Sequence, residues 1–310
     1  MTEDPGHQAN ERPSNPPEDL LEGLIVSHLG QGLAIEGVDG AIILCHTRRQ
    51  LGPVAVGDRV LWSRQEDQGR VEQRLPRHSL LTRPAHGGRI RPVAANLDQV
   101  VVVVAPEPEP DWLLVDQYAA AAEHRSLAVI IVINKVDRLR ERASIEDTLA
   151  TYRDIGYPCH LVSAKTGEGL DELQSSLKGR LSILSGQSGV GKSSLTNTLL
   201  PGKNLKTREL SEKAGLGRHT TTSAMLYHLP QGGSLIDSPG VAVFGLAEMT
   251  AQDLAQGYRE FRPFLEHCQF NDCRHLKDKG CAVKEAITEG SIAGGRYDRF
   301  VKLLGKMHLV

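Results

Sequence analysis

The chain has 310 residues, of which 40% are hydrophobic and 24% are charged, which is typical of a globular protein with two or three domains. A formal net charge of −2 excludes a uniformly basic nucleic-acid-binding protein, so RNA contacts would have to come from local basic patches. The sequence contains no apolar run of the roughly 20 residues that span a bilayer and no basic, apolar signal peptide. We therefore expect a cytoplasmic protein with no membrane partner.

The N-terminal part is predicted to contain a disordered tail followed by a β-barrel. Residues 1–20 are rich in proline and polar side chains and cannot bury enough apolar surface to fold. Residues 21–85 contain five short alternating segments broken by glycine, which indicate a small all-β barrel. A run of arginines has little acidic opposition and is interpreted as an RNA-binding patch: Arg70, Arg74, Arg77, Arg83, Arg89 and Arg91.

Residues 86–246 show the pattern of an α/β domain. From Gln99 onward, continuous apolar strands alternate with helical segments, which is typical of a doubly wound parallel sheet. Buried strands are predicted at 99–104, 127–133, 159–162, 181–184 and 234–236, and helices at 112–123, 145–155 and 170–177. Residues 247–310 have helical periodicity around a cysteine-rich loop, so we expect a mostly helical C-terminal domain.

The most specific motif is a complete phosphate-binding loop between a predicted strand and a predicted helix. It consists of Gly186, Gln187, Ser188, Gly189, Val190, Gly191, Lys192, Ser193 and Ser194. Its glycines allow backbone N–H groups to surround phosphates, Lys192 is expected to reach the β and γ phosphates, and Ser193 to ligate magnesium. The chain is therefore predicted to be a P-loop nucleotide-binding protein.

Two further motifs indicate that the base is guanine. Asn134, Lys135, Val136 and Asp137 follow a buried strand, and Ser163, Ala164 and Lys165 follow the next one. The Asp137 carboxylate can accept hydrogen bonds from guanine N1–H and the 2-amino group, a donor pair that adenine lacks. We expect Asn134 to tie the loops together, Lys135 to cover the ring, and the Ala164 N–H to bind the guanine O6.

The remaining GTPase motifs follow the phosphate loop, so the guanine-reading loops come first in the chain. Asp237 and Gly240 of an Asp-Ser-Pro-Gly segment are expected near magnesium and the γ phosphate. Between them and the phosphate loop lie Thr221 and Thr222, one of which is expected to bind magnesium; the sequence does not decide which. This permuted order preserves the site, because a closed site does not depend on chain order.

The residue that activates water is not the usual one. Many GTPases have a water-orienting glutamine after the motif glycine, but this chain has Val241. We expect His219 in the switch segment to be the catalytic residue, because a neutral imidazole can orient water. Arg218, as a charge-stabilising group, and a solvated, inert His219 remain alternatives.

The C-terminal loop carries a predicted zinc site. Cys268, Cys273, His275 and Cys281 form a three-thiolate, one-imidazole set, which suits a closed structural zinc site. His267 is the alternative to His275. Cys45 and Cys159 lie in apolar strands and are interpreted as core residues.

On these motifs, the sequence resembles the ribosome small-subunit-dependent GTPase A family of circularly permuted bacterial GTPases. The resemblance covers about residues 20–305 and includes the segments Val56–Val60 and Pro76–Pro84. It implies an OB-fold barrel, a permuted GTPase domain, and a helical domain with one zinc. It also implies hydrolysis of magnesium-bound GTP in late maturation of the small (30S) ribosomal subunit, stimulated through rRNA contacts. We expect a monomer.

Two alternatives come from other functional classes. A nucleotide-gated RNA-binding scaffold with vestigial hydrolysis would carry the same motifs, and Val241 fits slow intrinsic turnover in either case. A membrane-linked signalling switch is disfavoured, because the sequence has no lipidation motif.

Overall fold

A computed structural model describes residues 20–29, 32–48, 51–65, 68–84, 90–139, 142–203, 224–238, 246 and 249–307. Its architecture confirms the predicted fold class: an N-terminal barrel, a central α/β domain and a mostly helical C-terminal part. Residues 1–19 of the predicted tail lie outside the described ranges. The domain limits at residues 20, 85 and 246 remain predictions. None of the helices in the described ranges has the length and apolarity to cross a bilayer.

The N-terminal barrel is closed by pairing between its first and fourth strands. Its strands are β1 (Leu21–Leu29), β2 (Gly32–Gly37), β3 (Ile42–Thr47), β4 (Arg59–Gln65) and β5 (Gln68–Arg74). They pair in the order β1-β2-β3-β5-β4, with β1 returning to β4, which is the topology of an OB-fold. Alternating side chains point inward, and Ile25, Ile35, Val60, Trp62 and Val71 fill the interior.

A hairpin that the sequence did not indicate follows the barrel. Strands β6 (Leu80–Pro84) and β7 (Ile90–Ala95) pair antiparallel, with a register shift next to Leu81. Pro92 obscures the strand pattern of β7, because proline cannot donate to a sheet ladder. The end of β7 is attached to the barrel through the Ala95 N–H, which donates to the Val56 carbonyl at 2.8 Å.

The central domain is a sheet with helices between its strands. The strands are β8 (Gln99–Val104), β9 (Ala128–Ile133), β10 (Cys159–Leu161), β11 (Leu181–Ser185), β12 (Met225–His228) and β13 (Ser234–Asp237). The helices are α1 (Trp112–His124), α2 (Arg142–Asp154), α3 (Leu170–Leu177) and α4 (Lys192–Leu199). The order β10-β9-β8-β11-β13-β12 is parallel except for β12, and β8 is buried along its whole length. The predicted strands and helices of this domain are thus present.

The unpredicted strand β12 joins the two sheets. It pairs antiparallel with β13 on one side and with β1 of the barrel on the other, where Ser27 is opposite Met225. The Ser27 hydroxyl also donates to the Ala224 carbonyl at 3.2 Å. The barrel and the central sheet therefore form one continuous hydrogen-bonded sheet.

The C-terminal part packs on α1 of the central domain. Its helices are α5 (Ala251–Gly257), α6 (Arg262–Leu265), α7 (Ala282–Thr288) and α8 (Gly294–Met307). A Cβ on Gly257 would lie 2.8 Å from the Ala120 carbonyl oxygen, so α5 and α1 approach closely at a glycine. Arg296 of α8 is 1% exposed and forms salt bridges with Asp116 of α1 and with Glu260. Buried charges must be paired, so this cluster fixes α8 against α1.

Candidate functional site

The predicted phosphate loop turns between β11 and α4 in a conformation that requires glycine. Gly186, Gly189 and Gly191 have φ values of 140°, 82° and 90°. A Cβ on Gly186 would lie 2.0 Å from the Val103 carbonyl oxygen, and one on Gly191 would lie 2.5 Å from the Asn134 amide nitrogen. The loop therefore packs against the neighbouring strand ends while its backbone N–H groups remain able to surround an anion.

Lys192 folds back over this loop. Its Nζ donates to the carbonyl oxygens of Gly186 and Gln187, each at 2.7 Å, and its partial burial lowers the pKa of its ammonium group. Ser193 and Ser194 are exposed in the first turn of α4. This arrangement places a cation and two hydroxyl groups at the loop, as phosphate and magnesium binding require.

Asn134 connects the two loops that are predicted to read guanine to the phosphate loop. Its side chain is almost fully buried; Nδ2 donates to the Val190 carbonyl at 2.9 Å, and Oδ1 accepts from the Ala164 N–H at 3.2 Å. The tying role expected of Asn134 matches these contacts. The Ala164 N–H, however, points to Asn134, whereas the sequence interpretation assigned it to guanine O6. The adjacent Lys165 is exposed.

The Asp137 carboxylate, which is predicted to read the base, is oriented by a hydroxyl group. Ser163 Oγ donates to Asp137 Oδ1 at 2.7 Å, and this hydrogen bond is the main reason that the pKa of Asp137 is lowered. Asp137 is exposed, whereas Val136 beside it is buried and its N–H donates to the Val162 carbonyl. The carboxylate is thus ionised and presented to solvent as an acceptor.

A wall of the site that the sequence did not reveal lies in the segment between β8 and α1. Lys135, in the left-handed conformation, donates from Nζ to the carbonyl oxygens of Glu107 at 2.8 Å and Gly189 at 2.5 Å. Gln187 accepts from the Asp111 N–H at 2.9 Å and donates to the Glu109 carbonyl at 3.1 Å. The sequence indicated this wall only by its position after β8, because ligands of doubly wound sheets bind beyond the carboxyl ends of the strands.

Asp237 lies at the carboxyl end of β13, beside the strand that leads into the phosphate loop. The two strands are parallel, with Ile236 opposite Ile183. Asp237 forms a salt bridge with Lys203, which follows α4. The remaining predicted residues lie outside the described ranges: Arg218, His219, Thr221, Thr222, Gly240 and Val241.

The predicted zinc ligands converge in space. The ligand atoms of Cys268, Cys273, His275 and Cys281 lie within 4.8 Å of one another. His275 Nδ1 is 3.6 Å from the Cys268 sulfur and 3.4 Å from the Cys281 sulfur. Zn–S bonds of about 2.3 Å and Zn–N bonds of about 2.0 Å place tetrahedral ligands about 3.5 Å apart. The cluster therefore has the dimensions of a metal site.

The surroundings of the cluster also fit a cation. Burial raises the pKa of the Cys273 thiol to about 12, and a bound cation would favour the thiolate that acts as a metal ligand. The Tyr297 hydroxyl donates to the His275 carbonyl at 2.7 Å, which fixes the ligand's backbone in its left-handed conformation with a φ of 60°. His267, the alternative ligand, is exposed and does not belong to this cluster.

Comparison with known proteins identifies the family. A sequence model of the RsgA GTPase family matches residues 74–247. Relatives named small ribosomal subunit biogenesis GTPase RsgA include those of Azotobacter vinelandii, with 44% identity over 92% of this chain and 85% of theirs, and Proteus mirabilis, with 45% identity over 94% and 86%.

Solved structures support the same family assignment. YjeQ from Thermotoga maritima has a TM-score of 0.78 and 34% identity over 93% of this chain and 98% of its own. YloQ, described as a circularly permuted GTPase, has a TM-score of 0.76 and 26% identity over 98% of both chains. The sequence motifs, the nucleotide-site geometry and these similarities together show that the chain belongs to the RsgA GTPase family and is a GTP-hydrolysing enzyme with a circularly permuted GTPase fold.

Proposed function

We propose that this GTPase acts in late maturation of the small ribosomal subunit and that contact with the subunit's rRNA stimulates hydrolysis. The relatives' names support the small ribosomal subunit as the particle on which the enzyme acts. The observation that carries the proposal is the pairing of β1 with β12 at Ser27 and Met225. Met225 follows closely on Thr221 and Thr222 in the chain, so a ligand on the barrel can influence the segment that is expected to sense the γ phosphate.

The nucleotide is GTP, bound with magnesium. Asp137 accepts from the guanine edge, the phosphate loop and Lys192 bind the phosphates, and the residues that would hold magnesium are Ser193, Asp237 and one of Thr221 and Thr222. Bound magnesium supplies neutralisation of the charge that develops on the phosphates. Water then attacks the γ phosphate, giving GDP and phosphate.

His219 is the residue proposed to orient the attacking water, because Val241 offers no hydrogen-bonding group. Arg218 is the alternative. His219→Ala is expected to leave GTP affinity within a few-fold and to lower single-turnover hydrolysis on saturating small subunits by about a hundredfold, the scale of a missing general base. Arg218→Ala is the matched comparison. A normal rate for His219→Ala would assign the role to Arg218 or to rRNA.

The metal at Cys268, Cys273, His275 and Cys281 is proposed to be one structural zinc, because three thiolates and one imidazole leave no coordination position for substrate. The enzyme is proposed to work as a monomer in the cytoplasm, where subunits mature.

The decisive test is GTP hydrolysis with and without purified small subunits. Purified large subunits are the control for nonspecific RNA effects. We expect stimulation by small subunits of at least about tenfold, and no comparable effect of large subunits. GTP binding without stimulated hydrolysis would instead favour the scaffold with vestigial hydrolysis.

A further inference from the structure

We infer that Lys203 neutralises Asp237 in the metal-free protein and competes with magnesium, so that it sets the magnesium concentration needed for tight nucleotide binding. This inference rests on the proposed role of Asp237 beside the metal. It concerns a residue of this chain that belongs to none of the GTPase motifs, since Lys203 lies beyond the phosphate-loop helix α4.

The contact is direct and partly shielded from water. Lys203 Nζ forms a salt bridge with Asp237 Oδ2, and the two side chains are 18% and 30% exposed. Nζ also lies 5.7 Å from the centre of the Tyr227 ring, close enough for a cation–π interaction. The Lys203 backbone N–H donates to the Leu200 carbonyl at 3.1 Å, which holds the residue at the end of α4.

The salt bridge lies where magnesium is expected to bind, so the ammonium group and the metal ion compete for the same carboxylate. Asp237 ends β13, which is parallel to and in register with β11, the strand that leads into the phosphate loop. Ser193, the other residue expected near magnesium, lies in the first turn of α4, the helix that Lys203 follows. An ammonium group on the Asp237 carboxylate repels a divalent cation brought to that carboxylate, and it also occupies an oxygen that the hydrated cation would use.

Lys192 does not share this contact, since its Nζ donates to the loop carbonyls of Gly186 and Gln187. The two lysines therefore have separate roles: Lys192 belongs to the phosphate loop and Lys203 to the carboxylate on the metal side. Displacing Lys203 from Asp237 is a cost that magnesium binding must offset. Removing the ammonium group should thus make magnesium bind more readily.

The test measures nucleotide binding. Fluorescently labelled GDP is bound to the full-length protein, and magnesium chloride is titrated while dissociation of the nucleotide is followed. For Lys203→Met the magnesium concentration at half-maximal retention should be about threefold to tenfold lower than for wild type, the scale of a partly shielded ion pair. Lys203→Gln should behave like Lys203→Met, and Lys203→Arg like wild type, because arginine keeps the charge.

The control is Lys178→Met, which removes an exposed positive charge after α3 and should leave the midpoint unchanged. A second readout needs no nucleotide and is made in the presence of chelator. Lys203→Met should lower the melting temperature of the otherwise wild-type protein. The same substitution should have a much smaller effect in an Asp237→Asn background, because the carboxylate that pairs with Lys203 is absent there.

Equal magnesium midpoints for wild type, Lys203→Met and Lys203→Gln would overturn the inference, as would equal decreases in melting temperature in both backgrounds. Such a result would leave the proposed function intact, provided that GTP still binds and small subunits still stimulate hydrolysis. Failure of the proposed function would appear differently, as absent stimulation with a normal magnesium dependence.

Discussion

Arg77 binds the buried carboxylate of Asp58 with two nitrogen atoms, Nε to Oδ1 and Nη2 to Oδ2, both at 2.6 Å. Asp58 is fully buried and also accepts from the Ala55 N–H at 2.8 Å. Arg77 donates its Nη2 in addition to the Pro53 carbonyl. The contact joins the segment Val56–Val60 to the segment Pro76–Pro84, so Arg77 is a structural residue of the barrel and is not available to bind rRNA.

Arg77→Met should therefore destabilise the barrel. It leaves the Asp58 carboxylate buried without its cation, which costs about 3–5 kcal/mol in the free energy of unfolding. Urea unfolding followed by Trp62 fluorescence in a Trp112→Phe background would measure this. The control is Arg59→Met, which breaks an exposed salt bridge to Glu22 and should change stability by less than about 1 kcal/mol. Similar small decreases for both variants would contradict the assignment.

The proposed rRNA contacts should come from exposed arginines of the barrel and of the hairpin that follows it. Arg64 is exposed near the end of β4, and Arg91 is exposed on β7. Replacing both with alanine should weaken small-subunit binding and reduce the slope of log affinity against log salt by about 1 for each phosphate that is no longer bound. Arg153→Ala on α2 is the control. An unchanged slope would mean that these arginines only face solvent.

Asp137→Asn should change the base that the enzyme prefers. The amide can donate a hydrogen bond where xanthine offers a carbonyl, whereas it no longer accepts from both guanine donors. We expect GTP affinity to fall by at least about a hundredfold, with xanthosine triphosphate becoming the better ligand. Competition binding measures this, with Asp154→Asn on α2 as the control. A retained preference for GTP would show that Asp137 does not read the base.

Purified protein should contain close to one zinc per chain, and Cys273→Ser should lose it. Because a structural zinc contributes folding energy, this variant should loosen the C-terminal domain, as seen by faster proteolysis there, while nucleotide binding is largely retained. Cys159→Ser, outside the cluster, should keep the metal. Elemental analysis that finds no zinc in protein prepared without chelator would remove the assignment.

Arg296→Met should weaken the attachment of the C-terminal domain to α1. Asp116 keeps its salt bridge with Arg299, but the nearly buried carboxylate of Glu260 loses its arginine, which costs about 3–5 kcal/mol. The double variant Arg296→Met with Glu260→Leu should recover part of this stability, because replacing both partners by apolar groups removes the unpaired charge. Thermal unfolding of the two variants provides the comparison. A double variant no more stable than the single one would show that the charge pairing is not the cause.

The sequence was sufficient for the features that depend on local spacing. The phosphate loop around Lys192, the Asn134–Asp137 loop and the zinc set from Cys268 to Cys281 are short segments whose chemistry is encoded within a few residues. Alternating apolar residues identified the barrel strands, and continuous apolar runs identified the strands from Gln99 onward, because the pattern of apolar residues reflects which faces of a strand are buried. The α/β class of the central domain followed from these patterns, and the family followed from the resemblance of the motifs.

Only the tertiary structure decided which distant groups meet. Several contacts are recorded by no local pattern: the pairing of β1 with β12, the salt bridge of Arg77 with Asp58 and the salt bridge of Lys203 with Asp237. The structure also placed His275, and not His267, in the cysteine cluster. An exposed arginine and one bound to a buried carboxylate look the same in a sequence. Their roles differ because burial and partner charge, which arise only when the chain has folded, determine what each charge can bind.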